Sequence, residues 1–322
     1  TDPALTLNGG TIDLPQKPFW KDGQNLTIAA GPGVQDPTRT STIRYLNGNQ
    51  GPNTSFVVPA NTTLELYAAG TLGSSHPDTA RLNFITPSNQ ADIQGLFDIN
   101  LSHVILPTGD SKELLISNGG ELKIRGSGQT TLDTDNIRAT SGGKITLADG
   151  DNNLIATTLI VDGATMVVGD NAKALVGSVD ASGAPSTISV GSNPGGFVSE
   201  LVTDYLGVPA PLTLDGYGKV TADWVQPFVD GKLTLADALV LEITGDTPNS
   251  WITGSGVDIG TDATLLISAG QRVFSIVPLS NDGIFEVGGT LETSGTMTGS
   301  GKLEVLNGGK LGRLGFYSSD TF

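Results

Sequence analysis

Apolar and polar residues alternate in short bursts along this chain, and each burst follows a turn that contains glycine. Asn118-Gly119-Gly120-Glu121-Leu122-Lys123-Ile124 states the phrase, and Ser141-Gly142-Gly143-Lys144-Ile145-Thr146-Leu147, Asp162-Gly163-Ala164-Thr165-Met166-Val167-Val168, Asn281-Asp282-Gly283-Ile284-Phe285-Glu286-Val287 and Asn307-Gly308-Gly309-Lys310-Leu311 restate it. Alternation with a period of two is the mark of a strand with one buried face. It places Leu122, Ile124, Ile145, Leu147, Val167, Ile284 and Val287 inside. The phrases start 23 residues apart from Asn118 to Ser141, 21 from Ser141 to Asp162 and 26 from Asn281 to Asn307. That interval holds two or three strands of roughly 5 residues with their turns, which is one coil of a parallel β-helix. Such coils bury their apolar faces only by stacking on neighbours. The expected fold is all-β, a parallel β-helix or β-solenoid with an irregular insertion; a multi-sheet β-sandwich is the alternative.

The phrase is interrupted between residues 170 and 255. Within that gap Phe197, Leu201 and Tyr205 fall four residues apart and Gly207 follows, which reads as a short helix over Gly196–Gly207. The first hundred residues are richer in proline and aromatics. The expected organisation is an N-terminal cap or small β domain over 1–100, solenoid coils over 101–192, an irregular insertion with a short helix over 193–230, and terminal coils over 231–322.

Composition narrows the function. Glycine supplies 44 of 322 residues and charged residues only 16%, against about 25% in an average protein. The net charge of −16 opposes phosphate backbones and anionic headgroups, so nucleic acid is not an expected partner. No run approaches the roughly 18 apolar residues that span a bilayer, so membrane insertion is not expected. The absence of cysteine excludes disulfides and thiolate zinc sites. The chain opens on Thr1, as expected where a leader has been removed or a segment trimmed.

Catalytic sets are scarce. The only histidines are His76 and His103, and neither adjoins a Gly-x-Ser-x-Gly elbow; an enzyme is not expected. Asp133 with Asp135, and Asp149 with Asp151, are closely spaced carboxylates. They fit solvated turns, hard oxygen ligands for Ca²⁺, or a glycosidase pair; Ca²⁺ is the one cofactor they imply. The aromatics Trp20, Tyr205, Tyr217, Trp224 and Trp251 fit either sugar stacking or core packing. Near the N-terminus Leu5, Leu7, Ile12 and Leu14 alternate with polar residues. They are the expected subunit contacts, through strand addition to a neighbouring copy.

In its Gly-Gly-x-Leu/Ile phrases over 118–168 and 281–311 the chain resembles the β-solenoid passengers of bacterial autotransporters and secreted adhesins, and also phage tail-spike shafts. The resemblance implies an extracellular or cell-surface location, with the virion surface as alternative, and transfers no catalytic residue. The expected function is a non-enzymatic surface or filament subunit that assembles with copies of itself. A glycan-binding adhesin or phage tail fibre or spike is the alternative, and a polysaccharide-degrading β-helix enzyme is the third reading.

Overall fold

A computed structural model describes residues 5–7, 11–14, 26–28, 40–45, 56–58, 60, 63–68, 79–81, 90–100, 103–105, 113–125, 130–194, 198–227, 231–245, 250–252 and 255–313. Every regular element among them is a β-strand, and every registered pairing between them is parallel. Consecutive strands do not pair with each other. Each pairs instead with its counterpart one coil earlier and one coil later, so the chain is a parallel β-solenoid of about 9 turns. A sandwich, whose sheets are antiparallel, is not what forms.

Two compact units, Thr1–Val176 and Gly177–Phe322, divide the chain. In the first, one ladder runs through Thr11–Leu14, Thr40–Tyr45, Thr63–Ala68, Leu96–Asn100, Glu121–Ile124, Lys144–Leu147 and Thr165–Val168. Register turns the alternating phrase into columns. Leu64, Phe97, Leu122, Ile145 and Met166 stack in one buried row and Ile99, Ile124, Leu147 and Val168 in another. A second ladder stacks Val58, Ile93, Ile116, Ala139 and Val161. Each Leu or Ile so buried contributes roughly 1.5–3 kcal/mol, and no coil has that contribution without its neighbours.

The glycine pair of the phrase has two separate duties. Asn118 and Gly119 (φ 52° and 77°), like Ser141 and Gly142 (52° and 79°), make a turn in the left-handed region. The glycine that follows lies against the preceding coil. A Cβ on Gly120 would come within 2.1 Å of the Ile93 carbonyl oxygen, and one on Gly143 within 2.7 Å of that of Ile116. A side chain there would push the rungs apart.

The 11-residue strand Thr130–Thr140 serves two faces. Its start pairs with His103–Ile105, which also pairs with Thr79–Arg81, and its end pairs with Glu113–Ile116. Leu132 and Thr134 point inward, then Ile137 and Ala139, so Asp135 and Asn136 both face out where the coil turns its corner.

The second unit repeats the scheme. Glu200–Val208, Lys219–Pro227, Val240–Ile243, Thr264–Ile267, Ile284–Val287 and Lys302–Val305 form one ladder. Leu201, Val220, Leu241, Leu265 and Phe285 are its buried row. A second ladder includes Leu212–Gly216, Lys232–Leu235, Gly256–Ile259, Leu279–Asn281 and Met297–Thr298, and a third joins Ser250–Ile252, Arg272–Ser275, Thr290–Thr293 and Lys310–Arg313.

Three expectations are corrected. The helix expected over Gly196–Gly207 is the strand Glu200–Val208, with Gly196 and Phe197 outside the described residues. Ladder pairing with Lys219–Pro227 sets its state, and a change of phase within the strand turns Leu201 in and Tyr205 out, so their four-residue spacing marks no common face. The stretch 193–230, expected to be irregular, carries three regular strands across 200–227. Val167 and Ile284 face outward, half-buried, while Met166, Val168, Phe285 and Val287 point in.

Candidate functional site

The expected metal ligands occupy separate places. Asp133 stands on the outer face, registered between Ile105 and Ile155. Asp135 sits at the corner, 3.4 Å from the Thr157 hydroxyl. Asp149 and Asp151 lie in a turn, where the Asp149 carboxylate accepts a 2.9 Å hydrogen bond from the Asp170 amide of the next turn. Fully buried Asn152 donates from Nδ2 to the carbonyls of Ala148 (2.8 Å) and Asp149 (3.1 Å). The turn's carbonyls are therefore engaged by protein. Among the described residues no group of three or more His, Cys, Asp or Glu is placed to hold a metal ion, so the four carboxylates do not form one donor set.

The other expected positions are placed by their backbones. Leu5 and Leu7 belong to a strand paired in parallel with Leu26–Ile28; Ile12 and Leu14 belong to one paired with Thr40–Tyr45. Both pairings are within the chain. Thr11–Leu14 is the last strand of its sheet, with partners on one edge alone among the described residues. His76 and Trp20 lie outside the described residues, and His103 belongs to a paired strand. No helix of the described residues is long and apolar enough to cross a membrane.

Register also assembles polar clusters that spacing in the sequence does not reveal. Asp98, 6% exposed, accepts from Arg125 Nε at 2.8 and 2.9 Å, and Arg125 Nη2 reaches Glu65 at 3.4 Å. The Asp98 hydrogen bond raises the arginine pKa, against the opposing effect of burial. Glu65 and Asp98 are register partners one coil apart although 33 positions separate them in the chain. Glu242 is held in the same manner by Lys219 and Ser268. Burial would raise its pKa, but the two hydrogen bonds and the lysine charge together bring it below the ordinary carboxylate value. These clusters lock charged groups into pairs and tie coil to coil.

Among the described residues, an outward aromatic cluster lies at a corner of the second unit. Along Glu200–Val208 the inward positions are Leu201 and Thr203, then Leu206 and Val208; along Lys219–Pro227 they are Val220 and Ala222, then Val225. The phase change leaves Asp204-Tyr205 and Asp223-Trp224 facing out on successive coils. Tyr205 and Trp224 are in register and meet edge to face, 5.7 Å between centroids at 84°. The Tyr205 hydroxyl donates to Gln226 Oε1 at 3.2 Å. Burial, and secondly the charge of Asp180, raise the tyrosine pKa. Gly207 makes room for the ring: a Cβ there would lie 2.8 Å from a Tyr205 ring carbon. Trp224 is 36% exposed. Tyr217 is exposed in a separate turn, and Trp251 lies in a strand registered against Phe274. The sequence signal for the cluster is the repeated Asp-aromatic pair, Thr203-Asp204-Tyr205 and Ala222-Asp223-Trp224. No protein-family model matches the chain, and no curated protein or solved structure matches it.

Proposed function

We propose that this chain is a non-enzymatic structural protein, a surface or filament subunit located outside the cell, that assembles with copies of itself through β contacts. The observation that carries the reading is the last coil of the described residues, whose apolar columns remain exposed. Lys302–Val305, Met297–Thr298 and Lys310–Arg313 each end a sheet among the described residues. Leu303, Val305 and Leu311 continue buried columns yet are 38%, 46% and 49% exposed, whereas their register partners Phe285, Val287 and Leu291 are fully buried. An edge of this kind, apolar inside and with strand partners on one side alone among the described residues, favours addition of another strand. The Gly-Gly-x-Leu/Ile resemblance to secreted solenoids supports the extracellular location, on a cell or, as the alternative, on a virion. Sedimentation velocity across a concentration series tests the reading. Association should appear in the parent and be lost in a Leu303→Asp/Val305→Asp variant, whose exposed positions tolerate the change. A parent that stays monomeric at high concentration would remove the reading.

The second reading, a glycan-binding adhesin or fibre, is favoured by the Tyr205–Trp224 cluster. Its faces suit sugar rings and Gln226 suits hydroxyl groups. Binding to a panel of immobilised glycans tests it, with Trp224→Ala as the control that should fail to bind.

A further inference from the structure

The aromatic corner of the second unit carries a repeated pair. On two successive coils an outward carboxylate precedes an outward ring, Asp204-Tyr205 and Asp223-Trp224. Asp180 adds a third negative charge close enough to act on the Tyr205 hydroxyl. No Lys or Arg occurs between Lys173 and Lys219, or between Lys219 and Lys232, and the Asp223 carboxylate accepts a 2.9 Å hydrogen bond from the neutral Thr244 hydroxyl. Lys219 itself is committed to Glu242 at the other end of its strand. The strand that bears Tyr205 lies between two hydrogen-bonded neighbours, the strand ending at Ala181 and Lys219–Pro227. No backbone edge is offered here, so a peptide cannot add as a strand, and recognition must be by side chains alone.

We propose that this corner binds a polysaccharide bearing free amino groups, in preference to an acidic or a neutral one; the proposal rests on the glycan-binding reading and gives that ligand its chemical class. A sugar ring presents an apolar face to Trp224, and a protonated amine is favoured over an aromatic face and by the field of the neighbouring carboxylates. Repetition of carboxylate and ring at the ladder spacing of about 4.8 Å gives a polymer of repeating units more than one purchase. Tyr205, seated over Gly207 and tied to Gln226, is held in place before the ligand arrives, so little ordering is required on binding.

The test is calorimetric titration of the full chain with glucosamine hexamer, its fully N-acetylated form, and an oligogalacturonate of the same length, at physiological and at high ionic strength. The glucosamine oligomer should bind at least about tenfold more tightly than the other two. Trp224→Ala should weaken it by about tenfold or more, Trp224→Phe by less, and Asp204→Asn should narrow the preference for the amine. Circular dichroism establishes that each variant keeps its strands. Equal binding of the N-acetylated or the acidic oligomer would overturn the charge preference and leave the glycan reading standing. Failure of all three sugars to bind would overturn both. Binding that survives Trp224→Ala and vanishes at high salt would reduce the corner to general attraction by an acidic surface, and would also overturn the proposal.

Discussion

At the scale of single residues, burial and backbone angle decide which positions tolerate change. Ile145 is completely buried in the row between Leu122 and Met166. An aspartate there would place an unpaired carboxylate in the core, so Ile145→Asp should lower the urea-unfolding free energy by at least about 3 kcal/mol. Ser141 has a left-handed φ of 52° without the tolerance of Gly or Asn, and Ser141→Gly should stabilise the protein by about 0.5 kcal/mol in the same assay. Glu242 supplies a pH prediction. Its pKa is lower in the folded chain than its ordinary 4.5, so its pairing stabilises the fold above that value. The contribution disappears as pH falls through the folded pKa. The fall in stability on acidification should therefore be shallower in Glu242→Gln than in the parent, as followed by denaturant titrations at a series of pH values.

At the scale of elements, what could be read from the chain depended on whether a signal was local. The Asn/Ser-Gly-Gly turn and the alternation after it are local, and they correctly identify strands such as Glu121–Ile124 and Lys144–Leu147 with their inward residues. Where apolar residues occupy both faces, as in Thr165–Val168 and Ile284–Val287, alternation loses its phase. Only the neighbouring coil then determines that Met166 and Phe285 turn in. In Glu200–Val208 the four-residue spacing of Leu201 and Tyr205 reads as helical although the strand changes phase between them, and the pairing that contradicts a helix lies 19 residues on, where Lys219 meets Glu200. Sites depended on register still more. Asp133 and Asp149 are close in sequence but belong to different surfaces, whereas Glu65, Asp98 and Arg125 are far apart and meet. Accordingly, any shift in melting temperature on adding Ca²⁺ should be the same in an Asp133→Asn/Asp149→Asn variant as in the parent, measured by scanning calorimetry. Tyr205 and Trp224 were legible as candidate residues; their contact was not, because it depends on two bends falling at the same level.

At the scale of the whole molecule, a buried pattern recurs from coil to coil among the described residues and the same left-handed turn opens at Asn118 and at Ser141, and this repetition bears on how such a chain can change in length. Removing residues 118–140 would delete one complete coil and join Ser117 to Ser141, a residue that begins the same left-handed turn as Asn118. Phe97 would then face Ile145 in place of Leu122, and Ile116 would face Val161 in place of Ala139. Apolar would still meet apolar, while Asp98 would lose Arg125, so the shortened protein should fold with reduced stability and with its far-ultraviolet dichroism reduced in proportion to the lost strands. In a gene, recombination between two stretches that encode the same turn makes such deletions, and the reciprocal duplications, in a single event. A protein with this construction can gain or lose reach by whole coils over generations without passing through an unfolded ancestor.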